Sequence, residues 1–295
     1  MIWWGILALL AAILVYSYWN TFRPVLREVE MTIPHKKGLG EIKILQLSDL
    51  HMERLSISPQ RLYDLVAPVN PDLIVLTGDY LDRYHNIGKA LEYMKTVKSL
   101  NPKYGVYLVF GNHDHYLGDR IDEFQQAIES TGCRVLRNES TTFDVEGTRM
   151  TIIGVDDHCL GKSDIEQSFA NIPEDGIHLV LAHDPNTVLD MRDHHKADYI
   201  LSGHFHGGQF NLIPFLHRWF GFGGLSKRDI LKGLHVVGGR TLYISEGMGQ
   251  SGLNVRLGSR PEITVHTLRT GAVLRGAPTA VPVVEPLTPA VESGF

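Results

Sequence analysis

Five short apolar runs dictate most of what this chain can fold into: IKILQLS, DLIVLTG, VYLVFG, IHLVLAH and YILSG, spread over residues 42–203. Each is too short for a typical helix, rich in Val, Ile and Leu, and free of polar alternation, as strands buried on both faces are. Between them, Leu62, Leu65, Val66 and Val69 follow helical spacing, as do Ile87, Ala90, Leu91 and Met94. Strands alternating with helices predict an α/β domain. SDIE at 163–166 reads as a capping box opening a further helix. Beyond Gly132 the runs RVLRN, TTFDV and RMTIIGV predict shorter strands, LHVVGGRTLYIS a hairpin turning at Gly238-Gly239, and EITVHTL a closing strand. Two packed sheets flanked by helices are expected, with no internal repeat.

The runs are followed by polar residues of one kind. LQLSDLH delivers Asp49 and His51, VLTGDYLD delivers Asp79, and VFGNHD delivers Asn112, His113 and Asp114. LVLAHD delivers His183, and ILSGHFH delivers His204 and His206. Carboxyl ends of strands in an open α/β sheet converge on one crevice, so the fold gathers these side chains in one place. Mixed oxygen and imidazole donors suit Mn²⁺, Fe or Zn²⁺ better than Ca²⁺ or Mg²⁺. They are too many for one ion. Two divalent ions about 3.5–4 Å apart, sharing a carboxylate, use them all, and such pairs clamp a phosphate and activate a bridging water for in-line attack.

The ordered motifs D-x-H, G-D-x-x-D, G-N-H-D, a lone His and G-H-x-H resemble those of the calcineurin-like metallophosphoesterase superfamily, over roughly residues 42–268. The resemblance implies a four-layer α/β/β/α sandwich and assigns the residues. Asp49, His51 and His206 would hold the first metal, Asn112, His183 and His204 the second, and Asp79 would bridge. His113 would contact the phosphate and protonate the leaving group, oriented by Asp114. SGHFHGGQ and YISEGMGQSGLNVRLGSRPEITV, with an apolar amino terminus, are similar to a membrane-anchored bacterial branch. That branch includes enzymes like UDP-2,3-diacylglucosamine pyrophosphatase, so a lipid-linked phosphodiester or pyrophosphate is the favoured substrate. A protein phosphatase, a nucleotide phosphodiesterase and a scaffold that has lost catalysis are the rival readings.

The amino-terminal segment IWWGILALLAAILVYSYW carries no charge over residues 2–19, enough to cross most of a bilayer, with Trp and Tyr at both ends. A cleaved signal peptide would want basic residues ahead of the run and a small-residue cleavage site, and neither is evident. Arg23, Arg27, Lys36 and Lys37 follow the segment and no Lys or Arg precedes it, which favours a cytoplasmic catalytic domain. The expected organisation is an anchor over 2–19, a juxtamembrane linker with a lead-in strand over 20–41, a catalytic domain over 42–270 and a disordered tail over 271–295. A net charge of -5 argues against a nucleic-acid partner, and no obligate protein partner is implied. Cys133 and Cys159 match no metal or redox spacing and are either bridged or free, with Cys133 read as packing.

Other residues carry weaker signals. Arg83 extends GDYLDR together with Asp82 and is either a phosphate donor or a surface ion pair. Phe205, between the last two histidines, is packing or a substrate wall. His115, His158, His194 and His195 are expected to be solvated loop histidines, and Asp156 and Asp157 a strand-end turn. FNLIPFLHRWFGFGG at 210–224, with Trp219, Phe220 and Phe222, is either core or an apolar lip meeting acyl chains.

Overall fold

Strand pairing sorts the apolar runs into two sheets. The computed structural model describes residues 1–34, 40–209, 223–271 and 283–285. Among them the first sheet runs, in spatial order, β13 (Val283–Glu285), β1 (Val25–Pro34), β12 (Glu262–Gly271), β2 (Ile42–Leu47), β3 (Leu73–Thr77), β4 (Val106–Val109) and β5 (Arg134–Val135). The second runs β10 (Gly233–Val237), β11 (Arg240–Ile244), β9 (Tyr199–Ser202), β8 (Ile177–Ala182), β7 (Thr148–Val155) and β6 (Glu139–Val145). The pairings β2–β3–β4 and β7–β8–β9–β11 are parallel, so the carboxyl ends of β2, β3 and β4, and those of β8 and β9, point the same way within their sheets.

Three apolar layers hold the sheets. Ile44, Leu73, Val75 and Val109 meet Ile152, Leu179, Leu181 and Leu201 between them. Helices α2 (Pro59–Val66), α3 (Ile87–Ser99) and α4 (Ile121–Glu129) cover the outside of the first sheet, laying Leu62, Val97 and Phe124 over a cluster that includes Leu45, Leu76 and Leu108. Val188, Met191 and Leu225 cover Val180, Ile200 and Ile244 on the second. The order is therefore α/β/β/α, as expected, with a thin fourth layer. There α5 (Ile165–Ser168) and α6 (Thr187–Asp190) are single turns.

Local signals work as their chemistry requires, with one exception. Ser58 accepts from the Arg61 N–H at 3.2 Å and Pro59 occupies the first turn of α2. Gly238 and Gly239 take φ of 56° and 77° between Val237 and Arg240, the two-residue turn a right-twisted hairpin prefers. The exception is the capping box. Asp164, not Ser163, caps α5 by accepting from the Gln167 N–H at 2.9 Å, and the helix lasts one turn.

Helix α1 (Ile2–Asn20) is long and apolar enough to cross a membrane, and almost its whole length is exposed. Its carboxyl end is the exception, because Ser17, Asn20 and the following Thr21 are buried against the domain. β1 then pairs with β12 over ten residues. In the tail, Val283–Glu285 pair antiparallel with β1, and the remaining positions beyond 271 lie outside the described residues. Both cysteine thiols are free, Cys133 buried and Cys159 exposed.

Candidate metal centre

The backbone announces the site. Asp49, His51, Asp79, His204 and His206 all have positive φ, between 41° and 72°. Residues with a side chain reach that region at a steric cost, and clusters of such residues mark sites where the surrounding structure overrides local preference. Here the override bends each chain sharply after a strand, turning polar side chains into the crevice. Glycine makes one of these turns possible, since a Cβ at Gly111 would meet the Asp79 carboxylate. Gly207, in the turn directly after His206, has φ of 59°, and a Cβ there would lie 2.6 Å from Glu246 Oε2.

Two groups of donors meet at Asp79. Its Oδ2 lies 3.1 Å from His183 Nε2 and 3.6 Å from His51 Nε2. On one side, His51 Nε2 faces His206 Nε2 at 3.1 Å, and His206 Nε2 is 3.4 Å from Asp49 Oδ1. On the other, His204 Nδ1 faces His183 Nε2 at 3.2 Å. His183 Nδ1 donates to the Thr77 carbonyl at 2.7 Å, which leaves the Nε2 lone pair for the crevice. The described residues thus place Asp49, His51, Asp79 and His206 within reach of one cation, and Asp79, His183 and His204 within reach of another.

Electrostatics favour the metal-binding protonation states at Asp79, His206 and His204. At His183 burial is overridden by Asp79, which raises the ring well above the ordinary histidine value, and a bound cation would displace that proton. Burial pushes the Asp79 carboxyl up, but His183, His51 and His113 override it and hold it well below the usual carboxylate range. Burial, reinforced by His51, drives His206 well below the ordinary histidine value. Burial and the adjoining His183 lower His204. Imidazole nitrogens crowded against one another around a carboxylate, with His206 Nδ1 unpartnered among the described residues, are satisfied together by a cation. Asn112 Oδ1 is buried with no hydrogen-bond partner among the described residues, an orphan acceptor of the kind a cation satisfies. The donor set fits divalent metal.

His113 lies at the rim, and its partner differs from the expected one. Asp114 is fully buried and accepts the backbone N–H groups of Asp79, Tyr80 and Gly111 at 2.8–2.9 Å. It fixes the turn that carries Asp79 and makes no hydrogen bond to the His113 ring. Asp82 Oδ1 does, at 2.8 Å from His113 Nδ1, and the same oxygen lies 3.2 Å from His51 Nδ1. Arg54 Nη1 donates to the other Asp82 oxygen at 3.2 Å. Burial opposes protonation of His113, but Asp82 and Asp79 prevail and raise it above the ordinary range. Glu53, which the sequence did not single out, accepts the Asp82 and Arg83 N–H groups at 3.0 Å each. The spacing GDYLD carried the signal for Asp82, because a tight turn after Asp79 returns the fourth residue to the crevice.

The remaining candidates fall elsewhere. Arg83 is exposed, and its backbone is bound to Glu53. Phe205 is 2% exposed and packed in the cluster with Leu225 and Ile244, so it is enclosed by core and offers no wall to a substrate. Trp219, Phe220 and Phe222 lie outside the described residues. All four histidines expected in solvent are engaged, His194 at an exposed position beside Glu166. His115 Nε2 donates to Asp156 at 2.7 Å, His158 spans Asp184 and Asp190, and His195 is 2% exposed. Asp157 accepts the Leu160 N–H at 2.6 Å, as a strand-end turn should.

Comparison with known proteins agrees with this geometry. The profile of the calcineurin-like phosphoesterase family matches residues 42–208. Metallophosphoesterase YkoQ of Bacillus subtilis is 44% identical over 81% of this chain and 88% of its own length. Metallophosphoesterase YkuE of the same organism is 30% identical over 81% and 82% respectively. A transmembrane protein with a metallophosphoesterase domain from Danio rerio is 28% identical over 89% of this chain and 62% of its own length. The chain belongs to the calcineurin-like metallophosphoesterases and is a metal-dependent phosphoesterase.

Proposed function

We propose that the chain is a membrane-anchored phosphoesterase that holds two divalent ions and cleaves a phosphodiester or pyrophosphate bond in a lipid-linked substrate such as UDP-2,3-diacylglucosamine. The observation that carries the reading is the position of Asp79 Oδ2, between His183 Nε2 at 3.1 Å and His51 Nε2 at 3.6 Å. Asp49, His51 and His206 hold one ion, Asn112, His183 and His204 the other, and Asp79 serves both. Divalent metal bound there supplies Lewis acidity to the phosphoryl oxygens and a water acidic enough to attack near neutral pH.

The protein supplies orientation and a proton. With its Nδ1 against Asp82, His113 carries its second proton on Nε2, at the crevice rim. That proton passes to the leaving oxygen as the ester bond breaks, and His113 regains it from solvent. Asp82 keeps the ring in this orientation and stabilises its charge, while Asp114 holds the Asp79 turn.

Support for a membrane-borne substrate comes from α1, whose buried carboxyl end joins the domain, and from the resemblance to the membrane-anchored branch. The basic residues that follow α1 support a cytoplasmic domain. The test is the full chain in nanodiscs, loaded with Mn²⁺ and offered a UDP-linked diacyl sugar, a soluble aryl diester, nucleotides and a phosphopeptide. The highest kcat/KM is expected on the lipid-linked pyrophosphate. Preference for the phosphopeptide makes the chain a protein phosphatase, and inactivity on all four despite bound metal makes it a scaffold.

A further inference from the structure

The last turn of an α-helix leaves four carbonyls without helical partners. In α1 three of them, those of Tyr18, Trp19 and Asn20, accept from Thr21, Phe22 and Arg23 through tightened turns. The fourth, Ser17, accepts the backbone N–H of Arg256 at 2.9 Å. The contact is reinforced in both directions. Asn20 Nδ2 donates to the Arg256 carbonyl at 3.3 Å, Thr21 Oγ1 meets Ser56 Oγ at 2.8 Å, and the Arg260 guanidinium donates to the Arg23 carbonyl. A helix serving only as a tether needs none of this.

The Arg256 side chain carries the contact inward. It is fully buried. Nη1 donates to the carbonyls of Glu246 at 2.8 Å and Arg260 at 3.2 Å, and Nη2 to those of Gly247 at 2.9 Å and Gly249 at 2.5 Å. A buried cation survives when most of its donors are used, here all but Nε among the described residues, and the planar fork of arginine matches several carbonyls where lysine cannot. The segment it grips lies directly under one half of the metal centre. Met248 N–H donates to the Ser48 carbonyl at 2.8 Å and Gly249 N–H to the Asp49 carbonyl at 2.6 Å. A Cβ at Gly247 would lie 2.7 Å from Asp49 Cβ. Leu257 and Ser251, on the same loop, donate to the carbonyl and side chain of Gln209, three residues past His206.

We infer that Arg256 is a positioning residue that makes the last turn of α1 part of the metal centre, holding the Asp49, His51 and His206 half in place. The inference rests on the two half-sites of the proposed function. It predicts an asymmetry, because His183 is held by Thr77 and Asn112 by the turn after β4, beyond the described contacts of the loop, and the second half is tied to the first through the His204 N–H, which donates to Asp49 Oδ1 at 3.0 Å. Loosening the helix end therefore weakens the first ion far more than the second.

The experiment uses the full chain in detergent, with Mn²⁺ binding followed by calorimetry and by electron paramagnetic resonance, beside thermal melting of the metal-free protein. Two variants are compared with the parent: Arg256→Lys, and the helix-end pair Asn20→Ala with Thr21→Val. The expected result is one binding event weakened on the order of tenfold, as for loss of an outer-shell support, with the other within twofold of the parent. Equal weakening of both events, or a lower melting temperature with Mn²⁺ binding unchanged, overturns the inference. Where Arg256→Lys fails to fold, the helix-end pair decides alone. A parent protein that binds fewer than two Mn²⁺ ions instead overturns the two-ion reading, and this inference with it.

Discussion

Between the sheets, His266 is as buried as any histidine of the crevice, yet both its nitrogens have complementary partners. Gln46 uses its amide N–H groups on Thr77 Oγ1 and the Ser202 carbonyl, so its Oε1 accepts from His266 Nε2 at 2.9 Å. His266 Nδ1 then accepts from the Tyr199 hydroxyl at 2.8 Å. In the crevice the same residue type is arranged the opposite way, with His51 Nε2 against His206 Nε2 and His204 Nδ1 against His183 Nε2. One cluster alternates donor and acceptor and is complete as it stands. The other turns the Nε2 atoms of His51 and His183 toward further imidazole nitrogens and leaves Asn112 Oδ1 and His206 Nδ1 without partners among the described residues, a set that a cation completes. Burial and residue type do not separate structural from functional histidines; the pairing of lone pairs does.

The sharpest way to break this contrast is to remove the carboxylate common to both halves of the crevice. Asp79→Ala is expected to bind neither ion after gel filtration and to lose activity by at least about 10³-fold, since metal charge stabilisation is worth several kcal/mol. Elemental analysis showing two retained ions would remove Asp79 from its shared position. Next in size is His113→Gln, expected to keep its metal and to lose roughly 10²–10⁴-fold in kcat on an alkyl phosphodiester. The loss should shrink on a nitrophenyl ester, whose leaving group needs no proton. Asp82→Asn should follow the same leaving-group trend with a smaller loss, about 10–100-fold, because it also supports His51.

These residues were unequally legible in the sequence. Strand ends announce themselves locally: an apolar run says where the strand stops, and Asp49, His51, Asp79, Asn112, His183, His204 and His206 follow within a few residues of such runs. Nothing local says which carboxylate reaches His113. Asp114 is its neighbour in sequence, but its carboxylate is taken by four backbone N–H groups, and Asp82, thirty-one residues away, takes the ring. His266 and Arg256 escaped for the same reason. His266 lies 67 residues from Tyr199 and 220 from Gln46, and Arg256 grips carbonyls that have no side-chain signature. Phe205 sits between two metal-facing histidines, and the backbone reversal there sends its ring back into the core.

The complete cluster gives a stability prediction. Burial pushes the His266 imidazole down to about 3. The unfolded chain protonates this residue near its ordinary value of about 6.5, so below that pH the unfolded state holds the extra proton. The contribution is present in full above pH 6.5 and is lost as pH falls toward 3, at up to about 1.4 kcal/mol per pH unit. His266→Leu removes that titration and leaves Gln46 and Tyr199 short of a partner, costing about 1–3 kcal/mol for each at neutral pH. The melting temperature of the variant should therefore be well below that of the parent at pH 7.5, and the gap should narrow steadily toward pH 4.5. Metal content and kcat of the folded variant should stay within about twofold of the parent, because no donor faces the crevice.

A third cluster provides the smallest effect and the strictest test of the lone-pair criterion. Glu166, His194 and His195 bring one carboxylate and two imidazoles within reach of a common point, as the crevice does. His194 Nε2 lies 3.1 Å from Glu166 Oε2 and His195 Nε2 lies 3.3 Å from the same oxygen. Proximity alone marks this as a metal site. The pairing says otherwise. His195 Nδ1 accepts the Arg192 N–H at 3.0 Å, so the neutral ring carries its proton on Nε2 and has no lone pair to give there. Arg192 Nη1, 3.0 Å from Glu166 Oε1, adds a positive charge where a cation would have to sit. Glu166→Gln is therefore expected to bind as many Mn²⁺ ions as the parent, with the same affinities and kcat/KM within experimental error. If the variant binds one ion fewer, facing lone pairs do not distinguish the clusters, and residue type and distance alone would have to be restored as the criterion.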